Sequence, residues 1–251
     1  MTRLNFLISF QLWEATSSVS VMKMLAEQSE TNVDRAIKDA GLPRAVTEGA
    51  YLDEAENERG EVFVFERIYY SCGSCIGYDY DEVKSEYIHL ITQLTRRSAF
   101  LTIFGLFEHR MIECLKFMIN LSGYIDDNKR GNKREKIEDC HTILTNVIGG
   151  KGIQDVDHLI IIRNIMAHND GVARDHKEIL NRKGKKTGAE RRQLRAIRRA
   201  ENENSGISVN DFDSVLMDDR FLMYTVSEIK RYVESLEAAV QAYYKDKVCS
   251  N

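Results

Sequence analysis

One short segment of the chain combines residue types that serve acid–base and phosphate chemistry. Arg163, Asn164 and His168 lie within a stretch from Ile153 to about Asn169 whose apolar residues recur at helical spacing. A guanidinium presents forked donors to an anion, and an imidazole exchanges protons near neutral pH. Arg163 shares the apolar stripe of its helix, where an unpaired charge is costly to bury. It therefore needs an anionic partner or a functional cleft.

The spacing limits how these side chains can meet. On a helix, Asn164 and His168 lie about 40° apart, whereas Arg163 and His168 lie about 140° apart. Arg163 and His168 converge only if the helix end unwinds near Gly171, or if the site lies between two facing helices. The alternative is structural, with Arg163 paired to a core carboxylate and His168 on the surface near a helix C-terminus.

A second polar residue interrupts an apolar helical face. Glu108 lies between Phe104 and Leu115 in the most strongly periodic stretch, Asp81–Leu121. A carboxylate in that position needs a cation. Glu108 is interpreted as one half of a structural ion pair, and also as the group that orients Arg163. The two interpretations are compatible.

Positive charge is concentrated just beyond the motif. The basic segment, Arg174–Arg199, contains eleven Lys/Arg and three Asp/Glu, a charge of +8 within a chain of formal net charge −4. Such a segment can bind phosphates through salt-sensitive electrostatics, although no aromatic residue is interleaved for base stacking. The alternative is a solvated loop with a helical tail. The candidate phosphate contacts are Arg182, Lys183, Lys185, Lys186, Arg191, Arg192, Arg195, Arg198 and Arg199.

Helices must position these groups, because the 251 residues include one proline and only 15 glycines. The periodic stretches predict helices over 5–28, 81–121, 137–147, 153–169 and 222–243, with a short helix capped at Thr31–Asn32. Residues 45–70 are interpreted as helical, although Gly60 and a β-branched, aromatic run leave a strand open. Residues 207–222 are predicted to be irregular or a small hairpin.

The fold predicted from these elements is all-α. Residues 1–80 form a mostly helical N-terminal extension packed on the core, and residues 81–251 form a helical bundle that carries a basic insertion at 174–199. This bundle is the element that must position Glu108, Arg163 and His168.

Composition excludes several classes of protein and site. No apolar stretch approaches the 18–20 residues of a membrane span, and the N-terminus is a poor signal peptide. Five scattered cysteines favour reduced thiols and a cytoplasmic location. Cys72-x-x-Cys75 is interpreted as plain thiols, with a zinc site or a redox pair as weaker alternatives. No metal and no cofactor are predicted.

The Arg-polar-x-x-x-His pattern of Arg163, Asn164 and His168, on a late helix of a helical chain, resembles the signature of the HEPN superfamily. The stretch 96–108 resembles the long early helix of such proteins, and 211–222 leading into a final helix is compatible with it. The resemblance covers roughly residues 82–244. Asn169 follows His168 where HEPN toxins paired with a nucleotidyltransferase antitoxin carry a nearby tyrosine, so that subclass is not expected.

The resemblance implies a helical bundle, commonly dimeric, and a metal-independent endoribonuclease of toxin, antiphage-defence or RNA-processing type. It assigns acid–base catalysis to His168, transition-state stabilisation to Arg163 and positioning to Asn164. RNA is then the substrate, a homodimer the active form, and an antitoxin or regulatory protein a possible partner. The alternatives are a non-catalytic HEPN-like module that binds RNA or protein, and a helical scaffold in which Arg163 and His168 are structural.

Overall fold

The computed structural model describes residues 9–125 and 136–249, apart from the side chain of Cys249, so the predicted helix start at residue 5 lies outside the described residues. Within them the chain is mostly helical, with two small antiparallel sheets. In chain order the elements are α1 (Phe10–Ala40), β1 (Thr47–Glu56), β2 (Val62–Cys72), β3 (Cys75–Gly77), α2 (Tyr80–Ser122), α3 (Ile137–Ile143) with a π-helical segment (Leu144–Ile148), α4 (Asp157–His168), α5 (His176–Asn181), α6 (Gly188–Asn202), β4 (Ile207–Val209), β5 (Val215–Met217) and α7 (Phe221–Cys249).

The strongly periodic stretches are helices, as predicted. Helix α2 lies within one residue of its predicted bounds and α4 within four, whereas α7 continues six residues beyond its predicted end. The predicted break before Thr31 is wrong, because α1 continues without interruption. Asn32 does not cap a helix there; its side-chain oxygen accepts from Gln28 and Arg35 along the helix surface.

The all-α prediction is wrong in one respect, because strands replace helix between residues 47 and 77. β1 pairs with β2 from Thr47↔Ser71 to Glu56↔Val62, and β2 pairs with β3 through Cys72↔Cys75. β-Branched and aromatic residues fill β2, and Gly60 takes the positive φ of 79° that the connecting turn requires. The predicted hairpin near residue 207 is also present, as β4 and β5.

The chain divides into two compact units, one formed by residues 1–27 and 97–251 and the other by residues 28–96. These limits differ from the boundary predicted after residue 80, because they fall inside α1 and α2. In the first unit, the core includes the predicted stripe of α2 from Phe100 to Met118 and the apolar face of α7 from Leu222 to Val240. This core supports α4 through Leu159, Ile162 and Ile165.

The second unit has a small core and an open sheet. Val46, Cys72, Cys75 and Val83 are buried together. The long β1–β2 hairpin has mostly exposed side chains on both strands. At the β2–β3 turn, Gly73 takes a positive φ and packs against Tyr87, whose ring would lie 2.4 Å from an added Cβ. Only glycine fits this turn without displacing the ring.

The basic segment combines two helices with an exposed connection at Arg182, Lys183 and Lys185, as in the alternative of a solvated loop with a helical tail. It contains α5 and most of α6. Thr187 and Glu190 form a reciprocal capping box at the start of α6, with Thr187 Oγ1 accepting from the Glu190 amide at 3.2 Å. Leu194 and Ile197 of α6 are buried, whereas Arg195 and Arg198 lie on the opposite, exposed face.

No helix among the described residues combines the length and apolar character needed to cross a membrane.

Candidate functional site on helix α4

Helix α4 carries the predicted motif, and α2 supplies a partner for its arginine. Nη2 of Arg163 donates to Oε1 of Glu108 over 2.8 Å. The guanidinium carbon lies 5.5 Å from the centroid of the Phe104 ring, which precedes Glu108 by one helical turn. The contact expected between Glu108 and Arg163 is therefore present, and it connects α2 to α4.

The exposure of this pair determines what it can bind. The side chains of Arg163 and Glu108 are 22% and 32% exposed, so a dissolved anion can reach the guanidinium. Nε of Arg163 is buried and has no hydrogen-bond partner among the described residues. Glu108 engages one of the five N–H donors. Arg163 is thus held in place and keeps donors for a second anion.

Asn164 and His168 lie on the same helix at different depths. Asn164 is half-buried, whereas His168 is exposed at the last residue of α4. The helix is regular to this point, because the Asn169 amide donates to the Ile165 carbonyl over 3.1 Å. Unwinding therefore does not bring Arg163 and His168 together within one chain. For a convergent site only facing helices remain. The structural alternative, with Arg163 paired to a carboxylate and His168 exposed at a helix C-terminus, also agrees with these contacts.

The turn after His168 is fixed from two sides. Asp170 and Gly171 have φ values of 52° and 78°, and the Gly171 amide donates back to the Ile165 carbonyl over 3.1 Å. Arg97 of α2 forms an ion pair with Asp170. A Cβ at Gly171 would lie 2.6 Å from the end of the flexible Arg97 side chain, which can move, so it is the positive φ that favours glycine at this position.

Four of the predicted phosphate contacts form an exposed row on α6. No ion pair to these four arginines occurs within residues 9–125 and 136–249, so their charges are available to an outside anion. The α6 arginine row consists of Arg191, Arg192, Arg195 and Arg198.

The remaining predicted contacts are less uniform. Lys183 and Lys185 are exposed in the connection before α6. Arg182 forms an ion pair with Glu190 at 2.6 Å, and Nζ of Lys186 donates to the Arg182 carbonyl at 2.8 Å. Arg182 and Lys186 therefore stabilise the approach to α6 in addition to carrying charge.

Arg199 differs from the row because three carboxylates hold it. Its Nη1 donates to Asp155 at 2.8 Å, its Nε to Glu203 at 3.0 Å and its Nη2 to Glu228 at 3.4 Å. Arg231 also donates to Glu228, at 2.8 Å. A phosphate would have to compete with these carboxylates for Arg199.

Sequence reasoning missed the histidine beside this network. His158, at the start of α4, is 2% exposed, and its Nε2 lies 2.8 Å from the Tyr224 hydroxyl. Tyr224 in turn donates to Glu203. The three residues come from different elements, so no spacing along the chain indicates them. The available signal was a histidine inside the apolar run from Val156 to Ile162.

The hydrogen bonds of His158 fix its tautomer. Tyr224 donates its one proton to Glu203, so its oxygen accepts from Nε2–H of His158. Nδ1 is then the unprotonated nitrogen, and it is buried without a partner among the described residues. Burial, and next the charge of Arg199, lower the pKa of His158 to about 4. His158 is therefore neutral near pH 7.

A cleft of about 340 Å³ lies between α4 and α6 beside this histidine. Its apolar part comes from one residue of each helix, and its polar walls carry charges of both signs. The lining residues are Asp155, Asp157, His158, Ile161, Arg192, Arg195, Ala196 and Arg199.

One set of potential metal ligands occurs in the described part of the chain. Ligand atoms of His158, Glu203 and Glu228 lie within 4.8 Å of one another. Arg199 already contacts both carboxylates and Arg231 contacts Glu228, so little uncompensated negative charge is left for a metal ion.

Cys72 and Cys75 are buried free thiols at the β2–β3 turn. Burial raises the pKa of Cys75, which disfavours its reactive thiolate. Within residues 9–125 and 136–249, no other ligand joins them to complete the four of a structural zinc site.

Comparisons with protein-family models, with curated proteins and with solved structures found no match for this chain.

Proposed function

We propose that this chain is a metal-independent endoribonuclease of the HEPN type, which cleaves RNA through attack of the 2′-hydroxyl. One observation carries the proposal. A half-buried arginine, Arg163, is held by Glu108 against Phe104 on the same helix as the exposed His168. An arginine with only a structural role needs the Glu108 carboxylate. The N–H donors of Arg163 that remain exposed to solvent add nothing to that role.

The proposed reaction is an internal transfer at phosphorus. His168 takes the 2′-hydroxyl proton or gives a proton to the leaving 5′-oxygen, roles that suit an imidazole. The 2′-oxygen bonds to phosphorus as the bond to the 5′-oxygen breaks. The products are a 2′,3′-cyclic phosphate, or its 3′-phosphate hydrolysis product, and a 5′-hydroxyl. Arg163 stabilises the charge on the pentacoordinate phosphate, and Asn164 positions the phosphate or the imidazole.

The active form in this proposal is a homodimer. Because α4 is regular through His168, Arg163 and His168 of one chain diverge. Two facing copies of α4 would place His168 of one copy near Arg163 of the other. The α6 arginine row, together with Lys183 and Lys185, would then bind the RNA backbone beside the site.

The biological setting follows from the resemblance alone. A toxin or antiphage-defence effector acting in the cytoplasm fits a HEPN ribonuclease, and an antitoxin or regulatory protein would then restrain it.

A non-catalytic module that binds RNA or protein is the second candidate. The observation that favours it is the α6 arginine row, which is exposed and, among the described residues, free of ion pairs without any contribution from the motif. Such a module would retain RNA and leave it intact.

Cleavage of end-labelled RNA in EDTA tests the proposal. We expect fragments with 2′,3′-cyclic or 3′-phosphate ends and 5′-hydroxyl ends, produced by the native chain and absent with His168→Ala. Retention of intact RNA supports the binding module instead. Neither binding nor cleavage would indicate a helical scaffold.

Mixing two inactive variants tests the shared site. If each site takes Arg163 from one copy and His168 from the other, a dimer of Arg163→Ala with His168→Ala contains one intact site. Cleavage should return on mixing and stay absent for each variant alone. No recovery, with mixed dimers demonstrated, would contradict a site shared between copies.

A further inference from the structure

The cleft between α4 and α6 contains unused binding groups of two kinds. It is separate from Arg163 and His168, neither of which lines it. At about 340 Å³ it falls in the lower range of small-molecule sites. Its apolar lining consists of Ile161, which is half-buried, and Ala196, which is buried.

The arginine wall of the cleft can bind a phosphate. Arg192 and Arg195 line the cleft and belong to the α6 arginine row, which has no ion pair among the described residues. Arg199 also lines the cleft. Three carboxylates hold it, so it forms part of the wall and is not free to bind a phosphate. Two free guanidiniums one helical turn apart match the oxygens of a phosphate group.

The opposite wall offers acceptors without donors. Asp157, in the first turn of α4, forms no ion pair with any described residue. Asp157 is exposed, so its two carboxylate oxygens can accept hydrogen bonds from a ligand. His158 adds Nδ1, an acceptor that is buried and, in the described part of the chain, unpartnered.

A wall of acceptors selects among the four RNA bases. Guanine presents two adjacent donors, N1–H and the N2 amino group, which match the two oxygens of one carboxylate. Adenine, cytosine and uracil each place an acceptor beside their donor, and that acceptor would face the carboxylate unfavourably. The phosphate of the same nucleotide would reach the arginine wall.

We infer that the α4–α6 cleft is a guanosine-phosphate site, in which Asp157 reads the guanine edge and Arg192 and Arg195 hold the phosphate. The ligand is a guanosine of an RNA strand or free guanosine monophosphate, which share this chemistry. As a guanosine-reading subsite of an RNA substrate, the inference rests on the proposed function. It adds a base preference that neither the motif nor the α6 arginine row supplies.

Binding to uridine hexamers with one central guanosine, inosine or adenosine tests the inference. All measurements use the His168→Ala chain, so that cleavage does not interfere. A bidentate base contact contributes about 1–3 kcal/mol, so we expect the guanosine strand to bind at least fivefold more tightly than the adenosine strand. Inosine lacks the N2 amino group and should lie between them. Equal affinities for guanosine and adenosine would overturn the inference.

Two variants and one control assign the preference to the cleft. Asp157→Asn removes the carboxylate, and Ala196→Leu fills the apolar part; both should abolish the guanosine preference. The matched control is Asp211→Asn, which removes an exposed carboxylate outside the cleft and should retain the preference. A preference that survives both cleft variants, in folded protein, would overturn the inference.

The same measurements distinguish an RNA guanosine from a free nucleotide, and they test this inference separately from the proposed ribonuclease activity. Guanosine monophosphate that competes with the guanosine strand shows that both enter one site. Binding of the monophosphate alone, abolished by Asp157→Asn, supports a free-nucleotide ligand. A guanosine preference without any cleavage by the native chain would refute the ribonuclease proposal alone, and cleavage without the preference would refute this inference alone.

Discussion

The two polar sites on α4 hold an arginine and a histidine in opposite ways. Arg163 contacts one carboxylate and His168 is exposed, whereas Arg199 contacts three carboxylates and His158 is 2% exposed. The first site leaves guanidinium donors and an imidazole exposed to solvent. In the second site, almost all of the polar groups form hydrogen bonds or ion pairs with one another. Reaction chemistry needs the first arrangement, and a fixed cleft wall needs the second.

The sharpest test of this contrast is removal of the exposed imidazole. His168→Ala should lower RNA cleavage about 10²–10⁴-fold, the usual loss for a general acid–base group. Cleavage rates and circular dichroism together separate impaired chemistry from impaired folding. His109→Ala removes another exposed helical histidine and should keep full activity. Full activity in folded His168→Ala protein would contradict the proposed mechanism.

The buried imidazole should instead govern stability against pH. The folded pKa of His158 is about 4, below its ordinary value of 6.5, so the unfolded chain binds more protons between these values. Stability from this group is complete above pH 6.5 and is lost as the pH falls toward 4, by about 3 kcal/mol. Urea unfolding at stepped pH measures the loss.

His158→Gln should remove that part of the pH dependence, whereas His109→Gln should retain it. If the native chain and His158→Gln lose stability in parallel between pH 6.5 and 4, His158 is not the group responsible.

Glu108→Gln tests how much the accessible ion pair contributes. The pair is half-buried, between exposed pairs of 0–1 kcal/mol and buried pairs of 3–5 kcal/mol, so the loss should be about 1–2 kcal/mol. Cleavage should also fall, because the guanidinium is no longer oriented. Urea unfolding and cleavage rates measure both effects.

The double variant Glu108→Gln/Arg163→Met should recover stability and remain inactive. Glu113→Gln, which removes an exposed pair with Lys116, should cost less than Glu108→Gln. Strictly additive losses for Glu108 and Arg163 would show that the pair has no coupling energy.

The smallest effects are expected from single arginines of the α6 row. Arg191→Gln or Arg198→Gln should weaken RNA binding a few-fold and reduce the salt slope by about 0.7–0.9 for each phosphate that the variant no longer neutralises, with stability unchanged. RNA titrations at several salt concentrations measure this. Arg199→Gln should do the reverse, lowering stability while keeping most of the slope. Equal salt slopes of RNA binding for all three variants would show that arginines with and without ion pairs contribute alike.

The sequence predicts helices well where one face is continuously apolar. The Phe100–Met118 stripe of α2 and the Leu222–Val240 stripe of α7 fix both the helices and the core. It fails at β1 and β2, whose exposed apolar residues follow neither a helical period nor a clean alternation. The helix start predicted at Thr31 and Asn32 is also wrong, because residue types that cap helices are tolerated within a long helix.

The candidate site was predictable only where a residue type contradicts its local pattern. Glu108 and Arg163 each interrupt an apolar face, and two such interruptions of opposite charge can be paired without a structure. The His158 network has no such signal, because Tyr224 is an ordinary member of a helix and Glu203 lies in a polar run. Arg199 differs from the other arginines of α6 because carboxylates contact it. Two of these, Asp155 and Glu228, lie far from it in the sequence, so the sequence does not indicate the difference.

The two ends of the described chain are joined in the first unit, which affects how the protein is made. Thr16 on α1 donates to Glu237 on α7 over 2.8 Å, across 221 residues of sequence. At about 5–20 residues per second, a ribosome completes that span in roughly 10–45 seconds. Until then the hydrophobic core that contains Leu12 and Met22 lacks the buried residues of α7. Helix α7 thus completes the core to which α1 belongs, so a nascent chain stalled before α7 should be a target for chaperones and proteases.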